Sequence, residues 1–196
     1  MEILTLSGFT FAYPGADKPA LADVTCTVEA GQFVTLCGGS GSGKTTLLRA
    51  LKPTLAPHGT AAGEIRFCGQ PLAALSPRAD CTEIGFVMQE PDAQIVTDKV
   101  WHELAFGLEN LGLPNAEIRA RVAETAAFFG IETWFWRDVA TLSGGQKQLL
   151  NLAAVMAMRP SLLLLDEPTS RLDPIAAERF FDALVRINRE TGTTVM

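Results

Sequence analysis

Glycine-rich loops that end in Lys-Thr are suited to hold a polyphosphate, and residues 38–46 read GGSGSGKTT. Gly38, Gly43, Lys44 and Thr45 match the P-loop pattern G-x-x-x-x-G-K-[ST]. Backbone N–H groups can wrap a triphosphate only where side chains are absent and φ is free. That accounts for glycine at Gly38, Gly39, Gly41 and Gly43, with Ser40 and Ser42 between them. The helix predicted to follow over 45–51 points the positive end of its dipole at the anion. Lys44 is placed to reach the β- and γ-phosphates, the Thr45 hydroxyl to ligate Mg²⁺, and Thr46 to donate to a further phosphate oxygen. A flexible Gly/Ser turn is the alternative, but such a turn has no need of Lys-Thr at a helix start.

Further along, SLLLLDEPTS (161–170) carries four leucines that end in Asp166 and Glu167. An apolar run of that kind reads as a buried parallel strand, and parallel strands deliver their carboxyl ends to the ligand side of an α/β sheet. Asp166 is suited to hold Mg²⁺ through water, and Glu167 to polarise an attacking water. Gln89 ends another short apolar strand, 84–88, so its amide would meet the same sheet edge; an ordinary edge residue is the competing reading. LSGGQ (142–146) sets Ser143, Gly144 and Gly145 at the start of an apolar-rich helix, which makes a second anion-binding helix start. One nucleotide hardly needs both. Tyr13 stands just before a turn, where it could stack on a purine base or serve as a half-buried edge-strand tyrosine.

These groups need a scaffold. FVTLC (33–37) reads as a buried strand feeding the glycine loop. Residues 3–13 and 21–28 alternate apolar with polar, predicting antiparallel strands joined by the turn PGADKP. Pro and Gly mark 53–63 as a loop, followed by the strand EIRFCG. Asp98 is the expected N-cap of a helix over 98–112 with Val100, Leu104, Leu108 and Leu111 at helical spacing, and a second helix over 115–129 stops at Gly130. The cluster Trp134-Phe135-Trp136 packs within this helical region or offers an aromatic patch to a partner. Asp173 and Pro174 open a helix over 175–189, and TTVM ends the chain as a strand. The fold class is α/β, with an amino-terminal antiparallel β subdomain. One domain over 1–196 is expected, its core formed by 1–89 and 151–196 and its helical subdomain by about 90–150.

With 196 residues, 47% of them hydrophobic, the chain can bury the core of one such domain. A net charge of −6 without any Lys/Arg run argues against nucleic acid as a principal partner. Cys26, Cys37, Cys68 and Cys81 show no C-x-x-C pairing, which predicts reduced thiols in a cytosolic chain, two of them acting as small hydrophobes in strands. His58 and His102 have no ligand-like neighbours and suggest no metal site. No apolar run approaches the ~20 residues that span a bilayer, and MEILTLSG lacks the basic region of a signal peptide, so a membrane role requires a partner.

Taken in order, GGSGSGKTT, Gln89, LSGGQ, LLLLDEP and SRLD (170–173) resemble the nucleotide-binding domain of ABC ATPases, and the resemblance spans nearly the whole chain. Within that family QEPDAQIVTDKVWHELAFGLENLG (89–112) looks like the ATPases of energy-coupling factor importers of vitamins and metal ions. The resemblance implies a P-loop NTPase fold, ATP and Mg²⁺ as cofactors, and ATP hydrolysis coupled to transport at the cytoplasmic face of the cell membrane. By the same resemblance Tyr13 stacks on adenine, Gln89 senses Mg²⁺ and the attacking water, and Glu167 is the general base. Ser143, Gly144, Gly145 and Gln146 bind the γ-phosphate of ATP held by a second ABC ATPase domain in a head-to-tail dimer. A transmembrane coupling subunit is the other implied partner, its basic residues facing Glu90, Asp92 and Asp98. Three departures stand out. The histidine that follows the family's last strand is not reached before Met196, which implies a truncated domain; Leu149 replaces a usual arginine; and Arg171 stands where a smaller residue is common. The alternative is a soluble ABC ATPase acting on ribosomes or DNA. Neither a coiled-coil insertion nor a basic linker, the marks of those types, appears in the sequence. A small-molecule kinase would have no use for LSGGQ.

Overall fold

Leu4, Leu6, Phe9 and Phe11 are all buried, although the step from Leu6 to Phe9 breaks the two-residue period of a strand. The computed structural model, which describes residues 1–196, shows how the phase is restored. Strand β1 (Glu2–Ala12) is bulged at Gly8, whose φ of 58° lies in the left-handed region that glycine adopts freely, and the register against both neighbours shifts there. β1 pairs antiparallel with β2 (Leu21–Glu29) and β3 (Thr60–Phe67), and β3 pairs with the short β4 (Gln70–Pro71). β3 therefore begins within the stretch expected as loop, because Thr60–Ala62 pair with Thr10–Ala12. Small residues give little strand signal of their own.

The second sheet is parallel, in the order β5 (Ile84–Val87), β6 (Leu162–Leu165), β7 (Thr194–Val195). The leucines of β6 divide by parity. Leu162 and Leu164 join the core shared with β1 and with Leu48 and Leu51, whereas Leu163 and Leu165 join the core shared with Phe180, Leu184 and Ile187. A strand buried on both faces needs no polar alternation. The 33–37 segment departs from expectation. Only Phe33 pairs, bridging to Val195, with Val34 N donating to Val195 O at 2.8 Å.

Helix α1 (Lys44–Ala50) follows the glycine loop. An unforeseen helix, α2 (Pro77–Glu83), is capped by Ser76, which accepts the N–H of Ala79, with proline at its first position. After the single turn α3 (Pro91–Gln94) come α4 (Val100–Asn110), α5 (Asn115–Phe129) and α6 (Gly144–Ala157), then α7 (Pro174–Thr191). Asp98 does not cap α4. Lys99 holds the N-cap position without a side-chain bond, and the buried Glu103 carboxylate accepts the N–H groups of Val96 and Thr97. A first-turn glutamate has taken over the loop that leads into the helix. α6 passes through position 150 unbroken and serves two cores, with Leu150, Ala153 and Ala157 against α4 and α5, and Leu152, Val155 and Met156 against the parallel sheet. The tryptophan cluster divides: Trp134 is buried among α4–α6, while Trp136 is 74% exposed and leans on Phe135 and toward Trp101. All four cysteines are free and exposed, so none behaves as the buried small hydrophobe expected of strand positions. No helix is long and apolar enough to cross a membrane.

One buried ion pair ties α1 to α2. Lys52 Nζ lies 3.0 Å from Asp80 Oδ1 and also donates to the carbonyls of Asp80 and Ile84, while Asp80 Oδ2 accepts the N–H of Thr54. Both side chains are over nine-tenths buried. Removing one member of such a pair strands the other charge in the interior. Asp80→Ala should lower the unfolding free energy by about 3 kcal/mol in urea denaturation; a loss under about 1 kcal/mol would mean that water reaches the site.

Candidate functional site

Gly43 closes the glycine loop and is the N-cap of α1, with φ 92°. A Cβ there would meet the Ala20 carbonyl at 2.6 Å, so the loop can pass under β2 only with glycine at this place. Lys44 folds into the loop it follows, its ammonium donating to the carbonyls of Gly38 and Gly39 at 2.9 Å each and pairing with no carboxylate. Next to it the Thr45 hydroxyl donates to Asp166 Oδ1 at 2.8 Å, which brings together two residues 121 positions apart. Asp166 is 5% exposed, has no cationic partner, and fastens β6 to β5 through its N–H, which donates to Val87 O.

Glu167 follows with φ 43°, a left-handed conformation that costs a residue bearing a Cβ about 1–3 kcal/mol. The Gln89 amide donates to Glu167 Oε2 at 3.2 Å and to Ser170 Oγ at 3.3 Å. Thr45, Arg49, Met88, Gln89, Glu90 and Asp166 line a cleft of about 430 Å³ at this edge. Tyr13 is half exposed. Its ring packs edge-on against Phe11, and its hydroxyl lies 3.0 Å from the hydroxyl of the buried Thr46. Glycine loop, Asp166, Glu167, Gln89 and Tyr13 thus converge on the carboxyl ends of the parallel strands.

Ser143–Gln146 lies elsewhere, and none of its hydrogen bonds reaches residues 38–46. Ser143 Oγ accepts the N–H of Gln146 while Gln146 Oε1 accepts the N–H of Ser143, a capping box that leaves the N–H groups of Gly144 and Gly145 without partners. Gly145 packs close to Ala176 at the start of α7.

Residues that the motifs did not single out fix the Gln89 loop to α6. Gln148 Nε2 donates to Met88 O at 3.0 Å, Asn151 Nδ2 donates to Pro91 O at 3.1 Å, and Lys147 pairs with Asp92 at 2.5 Å. The legible signal was two amides three residues apart within an otherwise apolar helix. Two of the three carboxylates expected to face a basic partner are already paired, Asp92 with Lys147 and Glu90 with Arg171. The cysteines play no part here: burial pushes the Cys26 thiol up, and burial together with the Glu83 charge pushes Cys68 up, so neither is a ready thiolate.

A buried carboxylate whose one side-chain donor is a hydroxyl, beside a cationic loop of bare N–H groups, is the donor set that a magnesium nucleotide requires. Residues 21–170 match the ABC transporter family. The chain belongs to the ABC transporter ATPase family. It is 48% identical over 191 residues to an ABC transporter ATP-binding protein of Bacillus cereus, and 35% identical over 196 residues to one of Methanosarcina acetivorans. These alignments cover 97% and 100% of this chain, but 34% and 59% of those proteins. Among solved structures it resembles cbiO1 of Clostridium perfringens, part of the ABC transporter complex cbiONQ, with TM-score 0.87 and 32% identity over 99% of this chain and 76% of that one. It also resembles the ATP-binding cassette MJ0796, seen as a dimer in a post-hydrolysis state with ADP and Pi, with TM-score 0.82 and 27% identity over 98% and 86% of the two chains. The chain is an ABC-type ATP-binding unit, and it spans about a third of the length of the Bacillus relative.

Lys44 carries the positive charge at the loop centre, so Lys44→Ala should reduce Mg-ATP affinity at least tenfold by calorimetric titration, about the worth of one charge-assisted bond. Unchanged affinity would remove the loop from the binding site.

Proposed function

We propose that this cassette hydrolyses ATP to drive an importer of the energy-coupling factor type, working as one of a pair of cassettes beneath a transmembrane subunit. The observation that carries the hydrolytic reading is the Thr45–Asp166 contact, with Glu167 and Gln89 hydrogen-bonded to each other at the same sheet edge.

On this reading the loop N–H groups and Lys44 bind the β- and γ-phosphates, and Thr45 with Asp166 supplies the oxygen donors for Mg²⁺. The metal, when bound, neutralises charge on the phosphate oxygens. Gln89 orients the attacking water, and Glu167 accepts its proton. Tyr13, half exposed at the rim, is the adenine platform. The free N–H groups of Gly144 and Gly145 serve the γ-phosphate of ATP on the second cassette, since nothing in their own chain occupies them.

The likeness to cbiO1 supports transport of the energy-coupling factor kind, and exposed Val96, Trp101 and Trp136 on the helical region offer an apolar face to a membrane subunit. Such a partner places the cassette at the cytoplasmic face of the membrane. Because Glu90 and Asp92 already have cationic partners, a basic coupling segment would have to compete with Arg171 and Lys147.

Glu167→Gln tests the reading. With the base lost, phosphate release by the full-length protein should fall by about 10²–10⁴ while ATP binding persists. With ATP present, sedimentation should reveal a cassette pair of doubled mass. Turnover that survives the substitution would overturn Glu167 as the base, and ATP-saturated protein that stays at the mass of one cassette would overturn the pairing.

A further inference from the structure

We infer that Arg171 is a positioning residue for hydrolysis, clasping the loop that carries Glu167 to the loop that carries Gln89 through its ion pair with Glu90. The inference rests on the roles proposed above for Glu167 and Gln89.

The loop over 167–173 starts in an unfavourable geometry, because Glu167 has φ 43° while its carboxylate accepts from the Gln89 amide. β6 anchors one end. At the other end Asp173 accepts the N–H groups of Ile175 and Ala176 and so starts α7. Between these anchors Leu172 packs against the core around Phe180 and Leu165, and only two polar side-chain contacts cross to another element. One is Gln89 Nε2 to Glu167 and Ser170; the other is the Arg171 guanidinium to the Glu90 carboxylate. Gln89 is a weak anchor, since its amide is the group that must turn toward a bound water. Arg171 has no such duty.

The far side of the clasp is firm. Residues 88–92 are held to α6 by the Gln148 and Asn151 amides and by Lys147, and Gln148 and Asn151 are each 1% exposed. Arg171 therefore transfers the rigidity of α6 to the loop of Glu167, and with it the distance between the carboxylate and the Gln89 amide. One guanidinium nitrogen meets one Glu90 oxygen, so the clasp works through charge at a single point.

Both side chains are more than half exposed, which limits the size of the effect. Exposed ion pairs are worth no more than about fivefold in an equilibrium or a rate. Steady-state phosphate release should be measured on the full-length protein in its assembled complex. Arg171→Ala should lower kcat by about two- to fivefold, with KM for Mg-ATP and the melting temperature unchanged. Arg171→Lys should keep most of the rate. Arg171→Glu and Glu90→Arg should each lower kcat at least as far as Arg171→Ala does, and the doubly reversed protein should recover it. At 1 M salt, where screening acts over about 3 Å, wild type and Arg171→Ala should converge. Glu167→Gln, run in the same series, separates the two ideas. If it leaves turnover intact, the hydrolytic reading fails. If it abolishes turnover while Arg171→Ala keeps full kcat, or the double reversal recovers nothing, only the clasp is overturned.

Discussion

The hydrogen bond from Thr45 to Asp166 is the contact on which this architecture turns, because it closes the distance between the start of α1 and the end of β6. Each side depends on burial that the other supplies. Leu48 and Leu51 of α1 pack into the core that also takes Leu162 and Leu164, so the helix cannot shift without opening the face of β6 that sets Asp166. In return the carboxylate is held at the cleft wall, with the Thr45 hydroxyl as the one side-chain donor to it.

α6 is the second support. A helix apolar on two faces can join two cores, and here it links the parallel sheet to α4 and α5. The same helix begins at Ser143 and, a turn later, presents Lys147, Gln148 and Asn151 to the loop of Gln89. Gln148 Oε1 and Asn151 Oδ1 remain buried without hydrogen-bond partners, so the seam is polar on one side only. A movement of the helical region would therefore reach Gln89 directly through its own loop.

Much of this was legible from residue order alone, for a physical reason. The four leucines of β6 and the glycines of 38–43 report on burial and on backbone freedom, which are local properties, and they point to Asp166 and Lys44 without any need for tertiary contacts. The misses came where the deciding contact follows no periodic pattern. Asp98 looks like an N-cap, yet Glu103 reaches back to hold Val96 and Thr97. The sequence 33–37 has the pattern of a strand, but only Phe33 pairs, by a bridge to Val195. The Lys52–Asp80 pair and the Arg171–Glu90 clasp leave no periodic trace, since a single ion pair has no repeat to detect.

The location of Ser143–Gln146 carries the last step. Its capping box uses the N–H groups of Ser143 and Gln146 within the helix start and leaves those of Gly144 and Gly145 free, with Gly144 exposed. Free helix-start donors seek an anion, yet the phosphate loop of the same chain shares no hydrogen bond with them. On the proposed reading the anion arrives with a second cassette. Each chain then contributes half of two sites, and the pair can close only when both loops are loaded, since an empty loop offers no phosphate for the opposing donors. Pairing is thereby made dependent on nucleotide by unmatched N–H groups alone, and the shared helix α6 carries each closure to the loop of Gln89.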